Sequence, residues 1–302
     1  MTLPAQPGIL ESVPAVARYV TFNAAPDADR AALGAALQRL AQAVDGQAIV
    51  VGLGPSLVAA LGASVPGLRE FPHLAGHGVN VPSTPLQLWC WLRGDDLGFL
   101  LHAMRKLQKL LAPAFRAGHV LDGFCHALGE SGHGKDLTGY EDGTENPKGD
   151  DAVQAAIVQG QGPGLDGSSY LAVQQWVHDF DAFEALASED QDHHFGRRRS
   201  DNEEIEDSPT WAHVKRTAQE SFDPPAFMLR RSMPWLLSTQ AGLMFVAFGR
   251  SHDAFEAQLR RMAGEEDGVV DAMFRISRPV SGAYLWCPPV QAARLDLRQL
   301  GL

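Results

Sequence analysis

The sequence predicts an α+β protein of two lobes, each a four-stranded antiparallel sheet covered on one face by helices. Three observations lead there. The spacing of apolar residues switches repeatedly between a strand-like and a helix-like period, the switches run in the same order in each half, and the pentapeptide DAFEA occurs at 181–185 and again at 253–257.

Residues 18–23, RYVTFN, read as a short strand, and the Ala/Leu-rich stretch 28–44 places Leu33, Ala36, Leu37, Leu40 and Ala41 on one helical face. LQLWCWLRG at 86–94 reads as a second strand. GFLLHAMRKLQKLLAPAF at 98–115 is an amphipathic helix with Pro113 near its end, and VLDGFCHAL at 120–128 is a further strand. In the second half SYLAVQQWV, 169–177, leads into a helix from about Asp179, and 242–262 repeats strand then helix. In each DAFEA the Asp stands two positions before an apolar Phe, which suits a first helical turn, where carboxylates meet unpaired amides. Residues 129–168, rich in Gly, Asp, Pro and Ser, form a long connection between lobes, and 188–210 a second polar loop with separate acidic and basic blocks.

A chain of 302 residues, 45% hydrophobic and 20% charged, is long enough to bury a large core. Its formal charge of −11 argues against non-specific nucleic-acid binding and against adhesion to an anionic membrane, although Arg197–Arg199 forms a local patch able to receive an anion. Cys90, Cys125 and Cys287 are far apart with no CxxC or CxxCH among them, which excludes a zinc knuckle and covalent c-type haem attachment and suits buried thiols in a reducing compartment. MTLPAQPGILESVP lacks a positive segment followed by an apolar run, and no later stretch reaches the ~18 apolar residues of a membrane span. A cytoplasmic location is the expectation.

The most informative stretch is GYEDGTENP at 139–147, which holds Asp142 in a turn-rich segment between Gly139 and Gly143. Two readings fit: a carboxylate aimed at a cavity, or an Asx-turn residue capping the loop. Downstream stand WAHVKR at 211–216 and FMLRRSMPW at 227–235, with 71 residues from Asp142 to His213 and 17 more to Arg230. His213 suits a metal ligand if one ring nitrogen is held by an acceptor, and suits a structural role otherwise.

In this order the three stretches resemble the glycine-x-x-aspartate-glycine, haem-ligand and distal-arginine segments of the dye-decolourising peroxidases, in their bacterial cytoplasmic subgroup, with similarity over most of residues 15–290. The resemblance implies duplicated ferredoxin-like lobes in a dimeric α+β barrel-like arrangement, with residues 1–150 carrying the aspartate loop and 151–302 the haem ligand and the arginine. It implies one non-covalent haem b per chain, His213 as iron ligand and Asp271 as the carboxylate behind it. Asp142 and Arg230 then stand on the distal face and act on peroxide, Asp142 by carrying a proton and Arg230 by fixed positive charge. Arg197 matches the glycine-arginine segment and suits a haem propionate as well as it suits a solvated basic cluster. Glu141 and Gly143 would lie against the cofactor and Asn146 would stabilise the loop. Ser232 replaces an asparagine of some family members, a departure that puts turnover properties in doubt. Leu243, Phe245 and Phe274 suit both cavity walls and core packing. Arg231 is assigned to the surface or to a carboxylate partner, and Trp176, Trp211, Trp235, Tyr284 and Trp286 are candidate oxidation sites for large donors.

The implied activity is reduction of hydrogen peroxide with one-electron oxidation of phenolic, dye-like or porphyrin-type donors. The alternatives are iron release from haem, haem carriage or sensing without distal chemistry, and a ligand-free interaction module. The expected partners are peroxide, a small aromatic donor and a second copy of the chain, in a homodimer or larger closed assembly. Neither nucleic acid nor membrane is expected. The sequence ends about a dozen residues after its last apparent strand, so cargo packaging in a protein nanocompartment is not expected.

Overall fold

The computed structural model describes residues 4–129 and 132–302. Residues 1–3 of the N-terminal stretch and 130–131 of the 129–168 connection lie outside the described residues.

The first half runs β1 (Val16–Ala24), α1 (Arg30–Ala43), β2 (Ile49–Leu53), β3 (Leu88–Gly94), α2 (Leu97–Leu111) and β4 (Phe115–Phe124). Each helix begins where a side chain supplies a missing acceptor: Asp29 accepts from Ala32 N–H and Asp96 from Phe99 N–H. The strands pair antiparallel in the order β4-β1-β3-β2, which is the ferredoxin-like order.

The second half repeats the plan with its first helix broken up. After α3 (Gly149–Ala156) and β5 (Ser169–His178) come three short helices, α4 (Phe180–Glu184), α5 (Ser188–Phe195) and α6 (His213–Thr217). Then follow β6 (Leu229–Arg230), β7 (Met233–Leu237), β8 (Gln240–Gly249), α7 (Asp253–Met262) and β9 (Ala283–Cys287). The sheet order is β7-β8-β5-β9.

The two sheets are one. Trp235 on β7 pairs with Gly123 on β4, and Trp286 on β9 pairs with Leu53 on β2, so eight strands close into a ring. Alternation along each strand then sorts side chains between the inside of the ring and the helix-covered outside. Inside, Tyr19 stacks on Trp89 and Trp91 at 5.9 and 6.4 Å and Trp91 on Phe248 at 6.3 Å. Outside the first sheet, Leu33, Leu37 and Leu40 of α1 and Leu100, Leu107 and Leu111 of α2 fill the space against Val20, Phe22 and Cys90.

Three sequence expectations change. The helix expected over 98–115 ends at Leu111, and the strand expected from 120 begins at Phe115, because Pro113 cannot continue the helix ladder. The 129–168 connection contains α3, whose Ala152, Ala155 and Ala156 are buried. The polar loop at 188–210 opens with α5, whose buried Gln191, His194 and Phe195 show that its polar composition hides an inward face.

Candidate active site

Between the second sheet and its helices lies a cavity, with a neighbouring hollow that opens beside it. Both are bordered by Asp142, His213 and Arg230. The sheet side comes from β8 and β5. Leu243 and Phe245 face the cavity and are half-exposed, whereas Met244, Val246 and Phe248 between and beside them are buried in the ring. From the helix side Phe255, Leu259 and Met262 of α7 close an apolar wall.

His213 opens α6 and its imidazole orientation is fixed. Its Nδ1 lies 2.8 Å from Oδ2 of Asp271, which is fully buried. Asp271 Oδ1 in turn accepts from the Met273 N–H at 2.8 Å, so both carboxylate oxygens are held. A carboxylate at Nδ1 places the ring proton there and leaves Nε2 as an unprotonated donor, the state in which imidazole binds a metal.

Asp142 reaches the cavity from a narrow ribbon. Lys135 pairs with Glu141, Asp142 N–H donates to the Gly134 carbonyl at 2.9 Å and Asp136 N–H to the Tyr140 carbonyl at 2.8 Å. Alternation on this ribbon turns Asp142 to the cavity and Glu141 to the other face, where Glu141 lies against Gly129 at the border of the mouth. Gly143 has φ +85°, and a Cβ there would come within 2.9 Å of the Asn146 amide, so the turn behind the aspartate requires glycine. Asn146 reaches across the cavity edge to Arg230: its Nδ2 donates to the Arg230 carbonyl and its Oδ1 accepts from the Arg230 N–H.

The remaining expected residues fall less centrally. Arg197 borders the mouth with its guanidinium already on Glu145, at 2.6 Å, and on the Asn202 carbonyl, at 2.9 Å. Ser232 borders an adjoining hollow that shares Asp142 and Arg230 with the main cavity, and its hydroxyl accepts from the Val246 N–H at 3.3 Å. Phe274 does not line the cavity: it packs behind Trp176, which does, at 5.3 Å between rings. Arg231 is part-buried and, among the described residues, is not paired with a carboxylate. It donates to the carbonyls of Ile9, Leu10 and Arg230, and burial beside Arg93 lowers its pKa to about 10. Of the aromatic oxidation candidates, Trp176, Trp235, Tyr284 and Trp286 are buried and Trp211 is half-buried.

Sequence reasoning missed a second polar group on the cavity wall. Asp136 and His178 both line it, with Asp136 Oδ2 3.9 Å from His178 Nε2. Asp136 accepts from both the N–H and the hydroxyl of Thr138. Burial, helped by the nearby charge of Asp142, lifts its pKa to about 6 despite those hydrogen bonds, and burial lowers that of His178 to about 4. The available signal was a second acidic residue six positions before Asp142, on the same side of an alternating ribbon.

A sequence profile described as "Dyp-type peroxidase, C-terminal" matches residues 133–292, more than half of the chain. The chain belongs to the Dyp-type peroxidase family. The family's solved structures share the whole ring: a dye-decolorizing protein from V. cholerae superposes with a TM-score of 0.82 at 26% identity, covering 97% of this chain and 98% of that one. A variant of DypB from Rhodococcus jostii, solved in complex with heme, gives 0.80 at 26% identity over 93% of this chain and 94% of that one. Among curated Dyp-type relatives, the dye-decolorizing peroxidase of Mycolicibacterium paratuberculosis is 29% identical over 229 residues, 74% of this chain. The matched stretch spans 63% of that relative's length.

Proposed function

We propose that this Dyp-type protein is a peroxidase that binds one non-covalent haem b and reduces hydrogen peroxide while oxidising small aromatic donors one electron at a time. The observation that carries this reading is the convergence of His213, fixed by buried Asp271, with Asp142 and Arg230 on one apolar cavity. The donor set fits the group. A single imidazole with a free Nε2 suits an iron already held by a macrocycle, and the Leu243, Phe245, Leu259 and Met262 wall suits a flat apolar ring. When bound, haem would supply the redox chemistry that couples peroxide reduction to one-electron oxidation of donors.

The chain's own residues do the rest. Asp142 takes a proton from the inner peroxide oxygen and returns it to the outer one, which leaves as water. Arg230, held in register by Asn146, offers a fixed cation to the charge that develops on that outer oxygen. Asp271 fixes the ring orientation of His213 through its Nδ1 hydrogen bond. Arg197 and Glu141 stand at the mouth, where polar edges of the cofactor would emerge. Residues 1–150 thus supply the aspartate loop, and 151–302 the ligand and the arginine.

We further place the protein in the cytoplasm as a homodimer. No helix among the described residues is long and apolar enough to cross a membrane, and the three cysteines are free, which suits a reducing compartment.

Titration of purified protein with haem, followed in the visible spectrum, tests the reading. One equivalent should bind with a high-spin Soret band that changes on addition of one equivalent of hydrogen peroxide. Absence of stoichiometric binding overturns the proposal, and binding without any response to peroxide overturns its catalytic part.

A further inference from the structure

Asp136 shares the cavity wall with Asp142 for a reason of register. The hydrogen bonds that pair residue 136 with 140 and residue 134 with 142 place both aspartates on one face of the ribbon, diagonally related. Opposite Asp136 stands His178, its side chain 3% exposed. The His178 proton can be located from its other side. The Ser277 hydroxyl lies 2.8 Å from His178 Nδ1 and 3.3 Å from the Val177 carbonyl, and when it donates to the carbonyl His178 Nδ1 carries the ring proton. In that tautomer His178 Nε2 is a lone pair, buried, without a hydrogen-bond partner among the described residues, and 3.9 Å from Asp136 Oδ2. Two buried acceptors turned toward each other favour a proton on one of them.

We propose that Asp136 and His178 hold one proton between them on the cavity wall, and that this leaves Asp142 as the sole carboxylate charge beside the reacting peroxide. Asp136 is thus a positioning residue that acts through Asp142, and the inference rests on the peroxidase reading above. Two carboxyl groups on one face cannot both ionise cheaply, and the better buried one takes the proton. The other charged or titratable groups around Asp136 are Tyr140 on the ribbon, whose hydroxyl donates to Asp192, Arg199, which donates to the Thr138 carbonyl and lies over the Tyr140 ring, Arg230 and His213 at the same cavity, and Glu141, Glu145, Arg197, Glu204, Lys215 and Glu220 around the adjoining hollow. With Asp136 neutral, Arg230 meets one ionised carboxylate, Asp142, on the lining of the inner cavity rather than two. Once Asp136 ionises, the site gains a net negative charge that opposes a bound hydroperoxide anion, so the peroxide reaction slows as pH rises through the Asp136 titration.

Infrared difference titration of the haem-free protein, labelled with carbon-13 at the aspartate carboxyls, reads this proton without any turnover. Wild type should show a protonated carboxyl band that disappears as pH passes about 6, and D136N should lack it. In the haem-loaded protein the rate of the peroxide reaction should fall about tenfold across the same titration, whereas D136N holds the rate of the acid form throughout. Should D136N not fold, H178A serves: loss of the acceptor moves the band's midpoint to lower pH. Absence of the band in wild type, its survival in D136N, an unmoved midpoint in H178A, or a wild-type pH profile in D136N overturns the proposal. A protein that shows the band and takes no haem would instead overturn the peroxidase reading alone.

Discussion

The side chain of Asn146 holds both main-chain polar groups of Arg230, donating to its carbonyl at 3.0 Å and accepting from its N–H at 2.7 Å. The two residues are 84 positions apart, and the pair acts like one rung of a β-ladder made by a side chain. It ties the turn that carries Asp142 to the strand that carries Arg230, so the spacing of the two groups across the cavity is set by a single amide.

Asn146→Ala removes both bonds and leaves a part-buried donor and acceptor unpaired. Stability should fall by about 1–3 kcal/mol, read from the urea midpoint. The peroxide reaction should slow by about tenfold or more, because Asp142 and Arg230 lose their common register.

Replacing Asp271 separates two of its roles. D271N keeps an oxygen for the Met273 N–H but removes the charge behind His213, so haem should still bind while its reduction midpoint rises, as read by spectroelectrochemistry. D271A leaves both His213 Nδ1 and Met273 N–H without their acceptor, and should cost about 2–5 kcal/mol of stability in addition. Loss of the Soret band in H213A, with the fold retained by circular dichroism, completes the series.

Removing the distal groups should affect rate rather than cofactor affinity. D142A and R230A should each slow the stopped-flow peroxide reaction by about 10²–10³, while stoichiometric haem binding persists. The double variant should lose less than the product of the two, because the groups act on the same proton transfer.

Stability should rise as pH increases from about 4 toward the ordinary histidine range. Burial lowers the pKa of both His178 and His252 to about 4, so between that value and 6.5 the unfolded chain binds more protons than the folded one. Asp136 opposes this: its pKa is raised from 3.8 to about 6, so the stability it contributes in acid is lost as pH rises through that window. Two histidines outweigh one aspartate. D136N should therefore steepen the dependence of the urea midpoint on pH, and a Phe at position 252 should flatten it.

Elements whose period was long and regular were legible in the sequence. The α1 and α2 helices and the β5 and β8 strands lie within a few residues of where their patterns put them, and the Asp142, His213 and Arg230 stretches converge on one cavity. Short buried strands were not legible. β2 is five apolar residues with no alternation, because Val50 faces the ring interior while Val51 faces the helices and both faces are dry. Closure of the ring rests on Trp235 and Trp286 each meeting one residue of the other half, a long-range event that no local pattern encodes. Asp136 escaped notice for a similar reason: its partner His178 lies 42 positions away on another strand.

The two halves use the same space in opposite ways. In the first, leucines from two long helices fill the gap over the sheet; in the second, the crossover is cut into short helices and the gap stays open. The cavity in the second half is walled by Leu243, Phe245, Leu259 and Met262, apolar surface that a bound ring would cover. A haem bound as proposed would become part of the hydrophobic core, and resistance to proteases should then grow with haem concentration.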